Sequence, residues 1–286
     1  MIDAHVHLFP DRLYEAVWSW FDDHAWVIHE KLHADQAIDR LEKAGTDRAV
    51  ALVYAHKPKM SVELNRWIGA LASRRPMVVP SATVHPLDRD VAGILRQARE
   101  EFGARVVKEH CHVLNMAPDD PRMFPVYEAC IALDLPLVLH SGNGPKLQGY
   151  HAPTDEVSGA ARTEAVLMRY PELRLVVPHL GCMEEDLFFA MLDRHPNLYL
   201  DTTMAMVGFS PEVRFPDRHV IAKYPGRILF GTDFPNIPYP VEAERKAIEA
   251  LDLPSEAMRE IMHDAAARLI GLDVPLPHDR GSKESA

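Results

Sequence analysis

At 286 residues with 47% hydrophobic side chains, the chain can bury a large core. It has neither an apolar run of the roughly 18 residues that cross a bilayer nor the basic and apolar opening of a signal peptide. Its net charge of −11 and pI of about 5.8 argue against the basic stripe that nucleic acid requires, so the expected ligand is a small molecule and the expected location cytoplasmic.

In chain order, eight short apolar or β-branched runs read as strands: "MIDAHVH", "DRAVALVYA", "MVVPSATV", "ARVVKEHC", "LPLVLHSG", "LRLVVPHLG", "NLYLDTT" and "RILFGTDFP". Amphipathic segments such as "ADQAIDRLEKAG", "DVAGILRQAREEFG" and "MEEDLFFAMLDRHP" lie between them, each closed by Gly or Pro. This alternation predicts a parallel (β/α)8 TIM barrel, a fold of about 250 residues, as one domain over 1–272. A doubly wound open sheet is the alternative, but no Gly-x-Gly-x-x-Gly turn follows the first strand. The first strand-to-helix connection is long, from Leu8 to about Asp35, and holds Trp18, Trp20 and Trp26. It reads equally as a helix packed on the barrel exterior or as a lid on the mouth. Residues 273–286, without apolar periodicity, read as a frayed tail. Cys111, Cys130 and Cys182 are odd in number and lack Cys-x-x-Cys spacing, so reduced thiols are expected.

Regular alternation along the first strand places Asp3, His5 and His7 on one face and Ile2, Ala4 and Val6 on the other. In a barrel the C-terminal strand ends converge, and the polar residues that close these apolar runs are His5 and His7, His140, His179 and Asp233. One buried histidine at a strand end is ordinarily a hydrogen-bonded core residue. Four with a carboxylate, at equivalent ends of separate strands, form a nitrogen- and oxygen-rich donor set that suits Zn²⁺, with Mn²⁺, Fe²⁺, Co²⁺ or Ni²⁺ as alternatives. On the fourth strand an inward Val106 puts Lys108, His110 and His112 inward as well and leaves Glu109 on the helix side. Near the mouth, Tyr54, His56 and Lys57 follow strand two, and Asn143 and Lys146 lie in the loop after strand five. Lys57 and Lys146 could neutralise a substrate carboxylate, though solvation is the simpler account of loop lysines. Cys182 is not needed as a nucleophile beside an activated water.

These motifs resemble the amidohydrolase superfamily, and within it the amidohydrolase-related branch that contains aminocarboxymuconate-semialdehyde decarboxylase. The opening "DAHVH", the strand-five "HSG", the strand-six "HLG" and the strand-eight "GTDFP" match that family's pattern, and "LEKAGTDRAV", "PNLYLDT" and "DAAARLIGL" read like its connecting text. The resemblance implies that His5, His7, His140 and Asp233 bind a divalent transition metal, one per chain. It implies that His179 stands beside the metal as acid, base or carbonyl polariser, and that Asp233 also handles a proton. Lys108 and His110 form a family-like "KxH" that accompanies a single metal, whereas other members bridge a second metal from this strand. The implied activity is metal-dependent hydrolysis of a lactone, cyclic amide or related carboxylic acid through a metal-activated water. The alternative is nonoxidative decarboxylation. A metal-dependent deoxyribonuclease would have a strand-four Glu and a more basic mouth, and an inactive binding barrel would not need a full ligand set. Family precedent also implies a homodimer.

Overall fold

The computed structural model describes residues 1–145, 147–208 and 218–272. Its strands are β1 (Ile2–His7), β2 (Arg48–Leu52), β3 (Val78–Ala82), β4 (Val106–His110), β5 (Leu137–His140), β6 (Leu175–Val177), β7 (Leu198–Asp201) and β8 (Ile228–Leu229). They pair in sequence order, and every pairing is parallel. Beyond the end of β8 the chain returns to β1: Ala4 N–H donates to Phe230 O at 2.8 Å and His7 N–H to Phe234 O at 2.8 Å. The fold is a (β/α)8 barrel. The C-terminal tail and Lys146 lie outside the described residues.

Alternation along the strands sorts the core into two layers. Ile2 and Ala4 of β1, Val50 and Leu52 of β2, Val79, Val106, Val138, Val176 and Leu229 fill the barrel together. The intervening residues, such as Ala49, Ala51, Val107 and Leu139, face the helices. The helix Ala34–Lys43 shows why its sequence packs there: Ala34, Ala37, Ile38 and Leu41 are buried at spacings of three and four, while its charged residues stay outside. Burying a side chain such as Leu41 is worth about 1.5–3 kcal/mol. At the opposite end from the mouth, the helix Ala265–Leu269 packs Ala265, Ala266 and Leu269 against the inner layer and plugs the barrel. No helix among the described residues is long and apolar enough to cross a membrane.

The expected alternation of β1 is corrected here. The pairing with β2 slips by one residue between Asp3 and Val6, a β-bulge. Ile2 and Ala4 therefore belong to the inner layer and Val6 to the outer one. The extra residue restarts the alternation, so His5 points inward although Ala4 does too. Asp3, on the other side, is fully buried and latches β1 to the end of β8. Its carboxylate accepts from Thr232 Oγ1 at 2.6 Å and from the N–H groups of Thr232 at 3.1 Å and His5 at 3.2 Å.

On β4 the expected facing holds, with Glu109 on the helix side. It accepts from Val84 N–H at 2.9 Å and Thr83 Oγ1 at 3.3 Å, and its other oxygen has no hydrogen-bond partner among the described residues. Burial pushes its carboxyl up to about 8. Between the ordinary carboxylate range and that value the folded state holds a proton that the unfolded chain has released, so stability is lost as pH rises towards 8. Glu109→Gln removes that dependence. Its melting temperature relative to wild type is expected to rise by at least about 2 °C between pH 5 and pH 9; a pH-independent difference would refute the assignment.

Candidate metal centre and substrate cavity

Three of the expected ligands converge. One donor atom from each of His5, His7 and Asp233 lies within 4.8 Å of the others. Hydrogen bonds on the far side of each ring decide which nitrogen is available. His5 Nδ1 donates to Asp201 Oδ2 at 2.8 Å, and His7 Nδ1 donates to Leu52 O at 3.0 Å. Each neutral imidazole thus carries its lone pair on Nε2. These two Nε2 atoms are 3.3 Å apart, and Asp233 Oδ1 is 3.5 Å from the first and 3.1 Å from the second. Acceptors cannot hold one another at such distances without a shared positive charge. A cation bound by two imidazoles and a carboxylate meets that demand, so the residues fit a divalent transition metal.

His140 and His179 form the adjoining pair. His179 follows β6 in the left-handed region, φ 58°, which turns it inward where regular alternation would send it outward. Its N–H donates to Asp201 Oδ1 at 3.1 Å, and its Nδ1 to Thr203 O at 2.8 Å. Its Nε2 is then an acceptor 3.3 Å from His140 Nδ1, which must bring a proton or share a cation with it. His140 lies outside the compact group of His5, His7 and Asp233, and its ring stacks on His110 with centroids 4.1 Å apart. Asp233 also sits at positive φ, 67°, just past β8.

The electrostatics follow from burial. Desolvation, aided by the Lys108 charge, holds His5 down to about 4, and burial among other imidazoles holds His110 and His140 well below the usual histidine range. Burial would raise Asp233, but the imidazoles of His7, His5 and His179 beside it keep it well below the usual carboxylate range. Lys108 is fully buried inside the barrel, its Nζ has no hydrogen-bond partner among the described residues, and burial lowers it to about 8.

Above the cluster lies a cavity of about 720 Å³. The helix α1 (Asp11–His24) and the residues after it supply its roof, including Val17, Trp20, Phe21 and Trp26. Trp20 Nε1 donates to Gly149 O at 3.4 Å and Trp26 Nε1 to Asn236 O at 2.9 Å. The first connection therefore covers the mouth, while Trp18 packs on Tyr14 and His33. His110, His112 and Tyr54 line the wall, and Lys57 lies at the exposed rim. Asn143 is not among the lining residues; its Oδ1 sits over Gly159 beside Glu184.

The residue missed by sequence reasoning is Asp201. Its signal was present, since it closes β7 as His140 closes β5, and "NLYLDTT" is an apolar run ending in a carboxylate. A further polar group, Ser158, carries no such signal. It is buried in a loop and meets His112 only through the fold.

A family model described as amidohydrolase matches residues 2–272. The chain belongs to the amidohydrolase family. No curated protein matches the sequence. Among solved structures, this amidohydrolase is similar to a TIM-barrel protein of unassigned activity from Bordetella bronchiseptica, with 21% identity, TM-score 0.72, and coverage of 95% of this chain and 99% of the other. A second is 5-carboxyvanillate decarboxylase from Novosphingobium aromaticivorans, solved with manganese and 4-hydroxy-3-methoxy-5-nitrobenzoic acid, at 14% identity, TM-score 0.67, and 95% and 96% coverage. A third is a Pseudomonas putida protein provisionally described as a 2-pyrone-4,6-dicarboxylic acid hydrolase, at 16% identity, TM-score 0.67, and 96% and 98% coverage. At these identities the likeness is one of fold.

Because Asp201 orients His5 from behind, Asp201→Asn should weaken metal binding without removing a ligand. A fall in affinity of about 10–100-fold is expected by competition against a chromophoric chelator, with the far-ultraviolet circular dichroism unchanged. Wild-type affinity in this variant would refute the orienting role.

Proposed function

We propose that this amidohydrolase is a metal-dependent hydrolase of a small carbonyl substrate, a lactone, cyclic amide or related acid, with one divalent metal per chain. The observation that carries the reading is the convergence of two Nε2 lone pairs and the Asp233 carboxylate at the base of a closed-bottomed cavity. His5, His7 and Asp233 would hold the metal, with His140 at their side; zinc suits this donor set, and the manganese of the decarboxylase relative makes that metal the alternative. When bound, the metal supplies Lewis acidity towards water and a substrate oxygen.

The rest falls to the chain's own groups. Asp233 engages the cluster through Oδ1, and its second oxygen is the base for the proton of the attacking water. His179 is pinned through Nδ1 and offers Nε2. It takes up there the proton that Asp233 removes from the water and gives it to the leaving oxygen or nitrogen as the bond to the carbonyl carbon breaks. The roof of α1 limits water around the reacting carbon.

Nonoxidative decarboxylation is the second reading. The aromatic roof suits a flat ring, and the decarboxylase relative was solved with a substituted benzoic acid. A panel of lactones, cyclic amides and hydroxybenzoates, offered to the zinc- and manganese-loaded protein, separates the two. Acid release without carbon dioxide supports hydrolysis, carbon dioxide release supports decarboxylation, and turnover of nothing in either metal form counts against both.

Ligand and catalyst are separated by variants. His5→Ala with His7→Ala should lose most of the metal. His140→Gln should lose metal and activity together, whereas His179→Gln should keep its metal and lose about 10²–10⁴ in kcat. A metal-replete, fully active His179→Gln protein would remove that residue from the reaction.

A further inference from the structure

One polar wall of the cavity has no part in the chemistry just described. His112 lies in the short helical turn Cys111–Leu114 after β4, is buried and lines the cavity. Its Nε2 is 2.6 Å from Ser158 Oγ. That hydroxyl also lies 3.0 Å from Gly142 O and 3.0 Å from Thr154 O. A hydroxyl has one hydrogen. If it pointed at His112, two carbonyl oxygens would face an oxygen lone pair with nothing between. Directed at a carbonyl, it leaves a lone pair for His112, and Nε2 carries the hydrogen. No carboxylate among the described residues pairs with this ring, and burial favours its neutral form. Its remaining lone pair is therefore on Nδ1, which makes no hydrogen bond within the described residues.

The ring is also held in place. His110, His140 and Tyr150 surround it at centroid distances of 5.5, 5.1 and 5.3 Å. Along the wall it is three rings from His5, through His140 and His179. An acceptor fixed in orientation on the cavity wall, one ring beyond His140 from the cluster, can discriminate between substrates. A ligand with a matching donor satisfies it, and one without leaves a buried polar atom unpaired.

We propose that His112 is the specificity residue of this cavity, accepting at Nδ1 a hydrogen bond from a hydroxyl group on the body of the substrate, away from the carbon that reacts. Ser158 is its positioning residue. The substrate class thus narrows to hydroxyl-bearing small molecules. This inference rests on the reading that the cavity holds the substrate, but not on which reaction follows.

The test uses the metal-loaded protein and a matched pair of probes, phenol and its methyl ether anisole, titrated calorimetrically. Wild type should bind phenol roughly tenfold more tightly than anisole. In His112→Phe the two affinities should agree within about twofold. Gly144→Ala keeps the imidazole but adds a methyl 3.4 Å from its Cε1 and 3.7 Å from Nδ1. It should also reduce the preference, and it carries the test if His112→Phe fails to fold. Nitrogen-15 spectra of histidine-labelled protein should assign the hydrogen of His112 to Nε2, with the assignment lost in Ser158→Ala. An undiminished preference in both cavity variants, a hydrogen on Nδ1, or no preference in wild type would each overturn the proposal. A protein that shows the preference yet turns over none of the substrate panel would leave this inference standing and sink the catalytic reading.

Discussion

One buried carboxylate, that of Asp201, holds the working end of the barrel in register. Its Oδ2 takes the Nδ1 hydrogen of His5, while its Oδ1 takes the backbone N–H groups of His179 and Thr203 at 3.1 Å each. Three segments distant in sequence are fixed by one group, through hydrogen bonds that are roughly twice as strong as neutral ones because their acceptor is charged. The same contacts settle the chemistry. They direct the lone pair of His5 to the cluster and bring His179 to the position from which Thr203 O selects its tautomer.

Charge inside the barrel is tuned by the same economy of groups. Asp201 and Asp233 are ionised, since nearby imidazoles hold both below the ordinary carboxylate range despite burial. Burial pushes Asp3 up to about 7 and Lys108 down to about 8. At neutral pH the Lys108 ammonium offsets one of the two carboxylates around the cluster. A divalent ion held by His5, His7 and Asp233 would turn that local deficit into a net positive site, suited to an oxygen on which negative charge grows.

Much of this was legible in the sequence, because strand ends in a parallel barrel share one face and the residues that close apolar runs stand out. His5, His7, His140, His179 and Asp233 were all found in that way. What could not be read is how they come to face inward. His5 needs the bulge in β1, and His179 needs left-handed backbone, which L-residues adopt only where surrounding contacts enforce it. Those contacts are made between segments up to 229 residues apart, as with Asp3 and Thr232, and local periodicity holds no record of them. The His112–Ser158 pair was hidden for the same reason, as was the choice between exterior packing and mouth cover for the Trp-rich helix.

The plug at the base of the barrel has an optical corollary. With Ala265, Ala266 and Leu269 sealing one end, a ligand in the cavity lies against the roof that α1 supplies. Trp20 and Trp26, half of the four tryptophans in the chain, line that roof. The indole emission of the native protein is therefore a built-in meter of cavity occupancy. Stopped-flow quenching can follow arrival and departure of colourless ligands in real time, with no label attached.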